Sequence, residues 1–180
     1  MDRYNFLDRR TVVFGILGAG CSIATATLLP CGASAQMDKV HASMAALKAK
    51  TAKLGPPKIE GTEAVAGKDV PALYFGTTKM NNNFDVVDEV AKENGGTATL
   101  FVKAGDEYVR VSTNVKKNDG SRAIGTILDP KGPVIVVIRN GEAYYGDAMI
   151  LGKPYVTGYD PIRDALGNVV GIYYVGYLKG

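Results

Sequence analysis

The stretch that most constrains the fold is EYVRVSTNVKKNDGSRAIGT, Glu107 to Thr126. Its first half alternates with a period of two, as a strand does. Tyr108, Arg110, Ser112 and Asn114 fall on one face, and Val109, Val111, Thr113 and Val115 on the other. The second face is β-branched and suited to a core, while the first carries a guanidinium, a hydroxyl and a carboxamide in a row. After a Lys-Lys pair, Asn118-Asp119-Gly120 is a strong reversal signal, and Ser121 to Thr126 form the returning chain. The hairpin is expected to bring Arg122 back toward the polar row. Two arginines with hydroxyls on one sheet face fit a small anion, because the planar donor fork of a guanidinium matches a carboxylate. The same pattern also fits an ordinary solvated strand face.

A chain of 180 residues is the size of one domain with a tail. The first 35 residues read as an export signal. Arg9 and Arg10 precede Thr11-Val12-Val13-Phe14 in a twin-arginine pattern, an apolar run continues to Leu29, and Ala33-Ser34-Ala35 offers a cleavage site before Gln36. The run from Thr11 to Leu29 is also long enough to cross a bilayer, so an uncleaved anchor is the alternative. Both cysteines, Cys21 and Cys31, lie in this segment. Cleavage would leave no thiol for disulfides, nucleophilic catalysis or metal ligation.

From Met37 to Leu54 the sequence reads as a helix with Val40, Met44, Leu47 and Leu54 near one stripe, stopped by Gly55-Pro56-Pro57. His41, the only histidine, reads as a surface residue of this helix. Residues 58–70 read as a polar connection and Val70 to Phe75 as a first strand. FDVVDEVAKEN predicts a second helix with Asn83 as N-cap and Gly95-Gly96 as its end. TATLFVKA predicts a strand before the central one. Pro133 to Arg139, PVIVVIR, fits a buried strand or a buried helix equally at this length. AYYGDAMIL, KPYVTGYDPI and VVGIYYVGYL then predict three strands joined by short turns, hence antiparallel neighbours. The expectation is an α+β fold: an antiparallel sheet of about five strands with helices packed mainly on one side.

YVRVSTNV, DGSRAIGT, GEAYYG, ILGKPYVTGYDPI and GNVVGIYYVG, in that order between about Gly67 and Gly176, resemble the Cache sensor domains of bacterial chemoreceptors and sensor kinases, in the Cache 3/Cache 2 fusion type. The resemblance implies a PAS-like antiparallel sheet with a long N-terminal helix, a short helix at residues 133–139, and a small-molecule pocket outside the cytoplasm between the sheet and its covering loops. With the export signal read above, the chain divides into the signal (1–35), a leading helix and connection (36–66) and the sensor core (67–180). In such receptors the leading helix continues from the membrane. Here it starts almost at the cleavage site, so a free-standing periplasmic module is expected, handing its occupied state to a membrane receptor or kinase. An interaction module dimerising through the leading helix is the alternative.

Chemistry follows by exclusion. The net charge of +3 is too small and too evenly spread for a nucleic-acid partner. No phosphate loop, hydrolase elbow or metal-ligand cluster is present, and no cofactor is implied. Without a nucleophile–base pair, the expectation is recognition without catalysis. A buried carboxylate guest needs counter-charge and hydrogen bonds. Arg110 and Arg122 are candidates for the charge, Ser112 and Thr157 for hydroxyl donors, and Tyr144, Tyr155 and Tyr159 for ring walls and phenolic bonds. Each tyrosine equally suits a core position, and Arg122 equally suits a clamp to a carboxylate such as Asp160. Gly125 and Gly146 read as backbone necessities.

Overall fold

A computed structural model describes residues 31–180. The twin-arginine pair, the apolar run and Cys21 lie outside the described residues. Helix α1 spans Cys31–Leu54, longer than the predicted Met37–Leu54, and so runs across the Ala35–Gln36 boundary. Its buried stripe holds Val40, Ser43, Met44, Leu47 and Thr51. Two of these are polar and their hydroxyls meet tyrosines of the sheet: Ser43 Oγ lies 2.7 Å from Tyr177 Oη, and Thr51 Oγ1 donates to Tyr173 Oη at 3.3 Å. His41 is exposed and stacks on Tyr145 with ring centroids 4.3 Å apart.

Residues 58–70 are not a connection. β1 (Pro57–Val65), β2 (Lys68–Phe75) and β3 (Thr78–Lys79) form a small antiparallel sheet. β1 is solvated along most of its length, so it shows no apolar alternation, and backbone pairing with β2 holds it. Helix α2 (Asp85–Asn94) buries Val87 and Val90 and ends at Gly95, whose positive φ (76°) favours glycine. Its cap residue is Phe84 rather than Asn83, although Asn83 Oδ1 still accepts the Asp85 N–H at 3.0 Å.

β4 (Thr97–Ala104), β5 (Glu107–Thr113), α3 (Pro133–Arg139), β6 (Tyr144–Ile150), β7 (Lys153–Arg163) and β8 (Val169–Leu178) complete the chain. The five strands form one antiparallel sheet in the order β5-β4-β8-β7-β6. The result is the PAS-like α+β architecture that was expected. Helices sit mainly on one side, as expected, with the short α3 alone on the other. Leu100, Val111, Val156 and Val175 join the core beneath α1, α2 and the small sheet, whereas Phe101, Tyr159, Ile172 and Tyr174 join a second core with Val134, Ile135 and Ile138 of α3. PVIVVIR is therefore a helix: proline opens it, Val134, Ile135 and Ile138 face the sheet, and Val136 is exposed, which is helical rather than two-residue spacing.

Both faces are covered, so Arg110 and Ser112 are buried together with Val109 and Val111. The predicted polar row does not lie on one face, however. A bulge pairs Leu100 with Ser112 and Phe101 with Arg110, so Arg110 faces the α3-side core and Ser112 turns toward Asn83 and α2. The edge of β5 is covered too. Arg110 N–H donates to Thr126 O, Gly125 N–H to Arg110 O and Leu128 N–H to Tyr108 O, each at 2.9 Å. The returning chain thus continues the sheet past its edge. Gly125 has φ +75°, and an added Cβ would stand 2.5 Å from Ala66 Cβ, so this glycine is required.

Candidate functional site

The α3 face of the sheet encloses a cavity of about 540 Å³. Arg110 of β5 and Tyr159 of β7 reach it from the sheet. Ile127, Leu128 and Asp129 of the returning chain close one side, and Gly132, Pro133 and Val134 carry that wall into α3. Asp147 to Leu151, Pro154 and Lys179 line the other side. Most of this lining is apolar. Its outer charges are Asp129, Asp147 and Lys179, and Lys179 Nζ already pairs with Asp147 at 2.7 Å.

Arg110 is only 4% exposed. Its Nη1 donates to Thr126 Oγ1 at 2.9 Å, while Nε is buried with no hydrogen-bond partner among the described residues. The guanidinium lies over the Phe101 ring, 5.1 Å from its centroid. Among the described residues no carboxylate pairs with it. Burial lowers its pKa, against a smaller opposing pull from the hydroxyls of Tyr174 and Tyr159. Tyr159, 1% exposed, is pushed far above the ordinary tyrosine range, first by burial and then by Tyr174. Its hydroxyl makes no hydrogen bond among the described residues, so it remains neutral and free to donate to a guest.

The row behind Tyr159 is set by strand register. Tyr144, Tyr159 and Tyr174 are direct cross-strand partners on β6, β7 and β8. Their ring centroids are 6.2 and 4.9 Å apart, the tilted and edge-on contacts that aromatic quadrupoles favour. Tyr174 Oη lies 3.2 Å from Thr97 Oγ1, and Tyr144 Oη donates to Asp147 O at 2.7 Å. The Tyr144 hydroxyl therefore braces the β6 segment that walls the cavity.

Of the seven positions proposed from sequence, Arg110 and Tyr159 meet at the cavity. Ser112 Oγ is engaged with Asn83 O, and Thr157 Oγ1 donates to Gly146 O at 2.8 Å. Tyr144 and Tyr155 pack against the α3-side core beside the lining. Arg122 points the other way. Its Nη1 and Nη2 grip Asp88 of α2 at 2.8 and 2.7 Å, and Nη1 also donates to Thr113 O. Its guanidinium lies 4.4 Å from the Phe84 ring centroid. It is a clamp, with Asp88 as the carboxylate; Asp160 instead pairs with Lys48 of α1. Sequence reasoning missed the apolar lining from Ile127 to Val134. The only signal was the β-branched run of α3, whose period was too short to read.

The match to a family model of the Cache 3/Cache 2 fusion domain extends over residues 32–179. The chain belongs to that family. As a Cache domain it is a small-molecule sensor module. No curated protein matches the chain. No helix among the described residues is long and apolar enough to cross a membrane.

Proposed function

We propose that this Cache domain binds a small organic carboxylate in the cavity beside Arg110 and releases it unaltered. One observation carries the reading: a guanidinium 4% exposed, with an orphaned Nε and no carboxylate pairing with it among the described residues. An isolated buried charge costs several kcal/mol, which an entering anion offsets by pairing with it in a low-dielectric site. Arg110 supplies the charge and Tyr159 a phenolic donor. Tyr155 flanks the site, while Ser112, Arg122, Tyr144 and Thr157 hold its frame. Residues 1–35 would direct the chain to the periplasm, where a membrane receptor or kinase would read the occupied state. An intact mass beginning at Gln36 for the exported protein checks that leader.

The binding test is a thermal-shift screen of organic acids against the full chain, with Arg110→Met as control. A carboxylate at a hundredfold over its dissociation constant stabilises the wild type by about 2.7 kcal/mol. It leaves the Arg110→Met melting curve unmoved. Equal shifts for both proteins, or none for any acid, would overturn the assignment.

A further inference from the structure

We propose that the guest is a monocarboxylate with an extended apolar body, seated with its carboxylate inward; this deepens the anion-binding reading and rests on it. The cavity is polarised from floor to mouth. Its buried cation is Arg110, and the walls above it are hydrocarbon: Leu128, Val134 and Ile150 are each buried and line the space. The same lining continues outward to Ile127, Leu151 and Met149, which stay 36%, 42% and 65% exposed. Apolar surface running unbroken from a cavity to its rim is suited to a guest whose hydrocarbon reaches the opening. A two-carbon acid would satisfy Arg110 and leave most of the 540 Å³ as water against apolar walls.

Charge at the mouth selects against a second carboxylate. The other cation of the lining, Lys179, is taken by Asp147 at 2.7 Å. Asp129 also lines the cavity, is exposed, and forms no ion pair among the described residues. The outer end of a dicarboxylate would therefore face negative charge rather than a donor. An α-amino acid fails at the other end. Its ammonium would lie beside Arg110, where like charge repels it and, among the described residues, no carboxylate pairs with the guanidinium.

Calorimetric titration of the full chain with straight-chain acids from acetate to octanoate tests this. Each methylene buried against the walls is expected to tighten binding about fourfold. Matched pairs isolate the charges: hexanoate should bind at least tenfold more tightly than adipate, and 4-methylpentanoate at least tenfold more tightly than leucine. Octanamide, which keeps the shape without the charge, should bind at least tenfold more weakly than octanoate. Asp129→Asn, whose amide oxygen still accepts the Lys131 N–H that Asp129 Oδ1 takes at 2.9 Å, should narrow the hexanoate–adipate gap. A flat chain-length series, or adipate or leucine binding the more tightly in an Arg110-dependent manner, overturns this inference and leaves the anion reading standing. Failure of every carboxylate to bind overturns both.

Discussion

Arg110 stands where a stability-driven sequence would place a hydrocarbon. Its side chain is buried, and among the described residues its Nε has no partner and its firm contacts are one bond to Thr126 Oγ1 and the face of Phe101. Such a charge is an energetic cost to the empty protein and becomes favourable only when a counter-ion enters. Replacing it with a flat, flexible apolar side chain should therefore separate folding from binding. In Arg110→Met, Thr126 keeps its bond to Ala123 O at 2.7 Å, so no polar group is stranded. The ligand-free variant is expected to match or exceed wild-type stability, by up to about 2 kcal/mol in urea denaturation, while losing the carboxylate response. A variant destabilised by more than about 1 kcal/mol would show that the guanidinium is a structural fixture. Ser112 and Thr157 differ in kind. Both hydroxyls are buried and already matched to backbone carbonyls, so they gain nothing from a guest.

At the scale of elements, legibility followed periodicity. TATLFVKA became β4 residue for residue, and the three C-terminal strands emerged close to their sequence bounds, because two-residue alternation and glycine turns leave few alternatives. β1 was illegible because it is solvated on both faces and held by backbone pairing, which side-chain pattern does not report. α3 was ambiguous because seven residues span only two helical turns. The alternation of β5 was legible only as far as Arg110. The bulge opposite Leu100 and Phe101 shifts it, leaving Ser112 on the α2 side and Val115 in the α3-side core, and what covers each face did not show in the pattern. Coverage is a tertiary fact: the chain from Ala123 to Leu128 folds over that edge. The Asn-Asp-Gly reversal was legible, yet not the direction of Arg122, which is decided by Asp88 on a helix 34 residues away in sequence. That clamp fixes the returning chain to α2 from outside the cavity. Arg122→Ala should cost about 1–2 kcal/mol, since it removes a partly screened forked pair, a backbone bond and a cation–π contact. A double-mutant cycle with Asp88→Asn should give a coupling of about 0.5–1 kcal/mol. Affinity for a carboxylate should stay within about twofold. A loss of tenfold or more would place Arg122 in the binding machinery.

At the scale of the whole molecule, the five-stranded sheet is a partition with a tyrosine on each side at successive positions of β8. Tyr173 faces α1 and meets Thr51, while Tyr174 faces the cavity side and meets Thr97 and Tyr159. Burial raises the pKa of Tyr173, and raises those of Tyr159 and Tyr174 far beyond the ordinary range. For these three groups the folded pKa lies above the unfolded value of about 10, so the folded state keeps protons that the unfolded chain releases. Their stabilising contribution is thus complete below about pH 10 and declines as pH rises beyond it toward the raised folded values. Once the unfolded tyrosines are ionised, each fully protected group lowers stability by about 1.4 kcal/mol per pH unit. Tyr159 and Tyr174 together therefore give a slope of about 2.7 kcal/mol per unit above pH 11. Alkaline unfolding should be steep. Tyrosinate absorbance from these residues should appear together with loss of the far-ultraviolet dichroism of the sheet, not ahead of it. Tyr159→Phe and Tyr174→Phe should each flatten the slope by about one proton. A wild-type protein that ionises all its tyrosines near pH 10 with the sheet intact would mean that this face is open to water, and Arg110 with it. Because Tyr159 and Arg110 share the cavity, a bound carboxylate should move the unfolding transition to higher pH by stabilising the folded state.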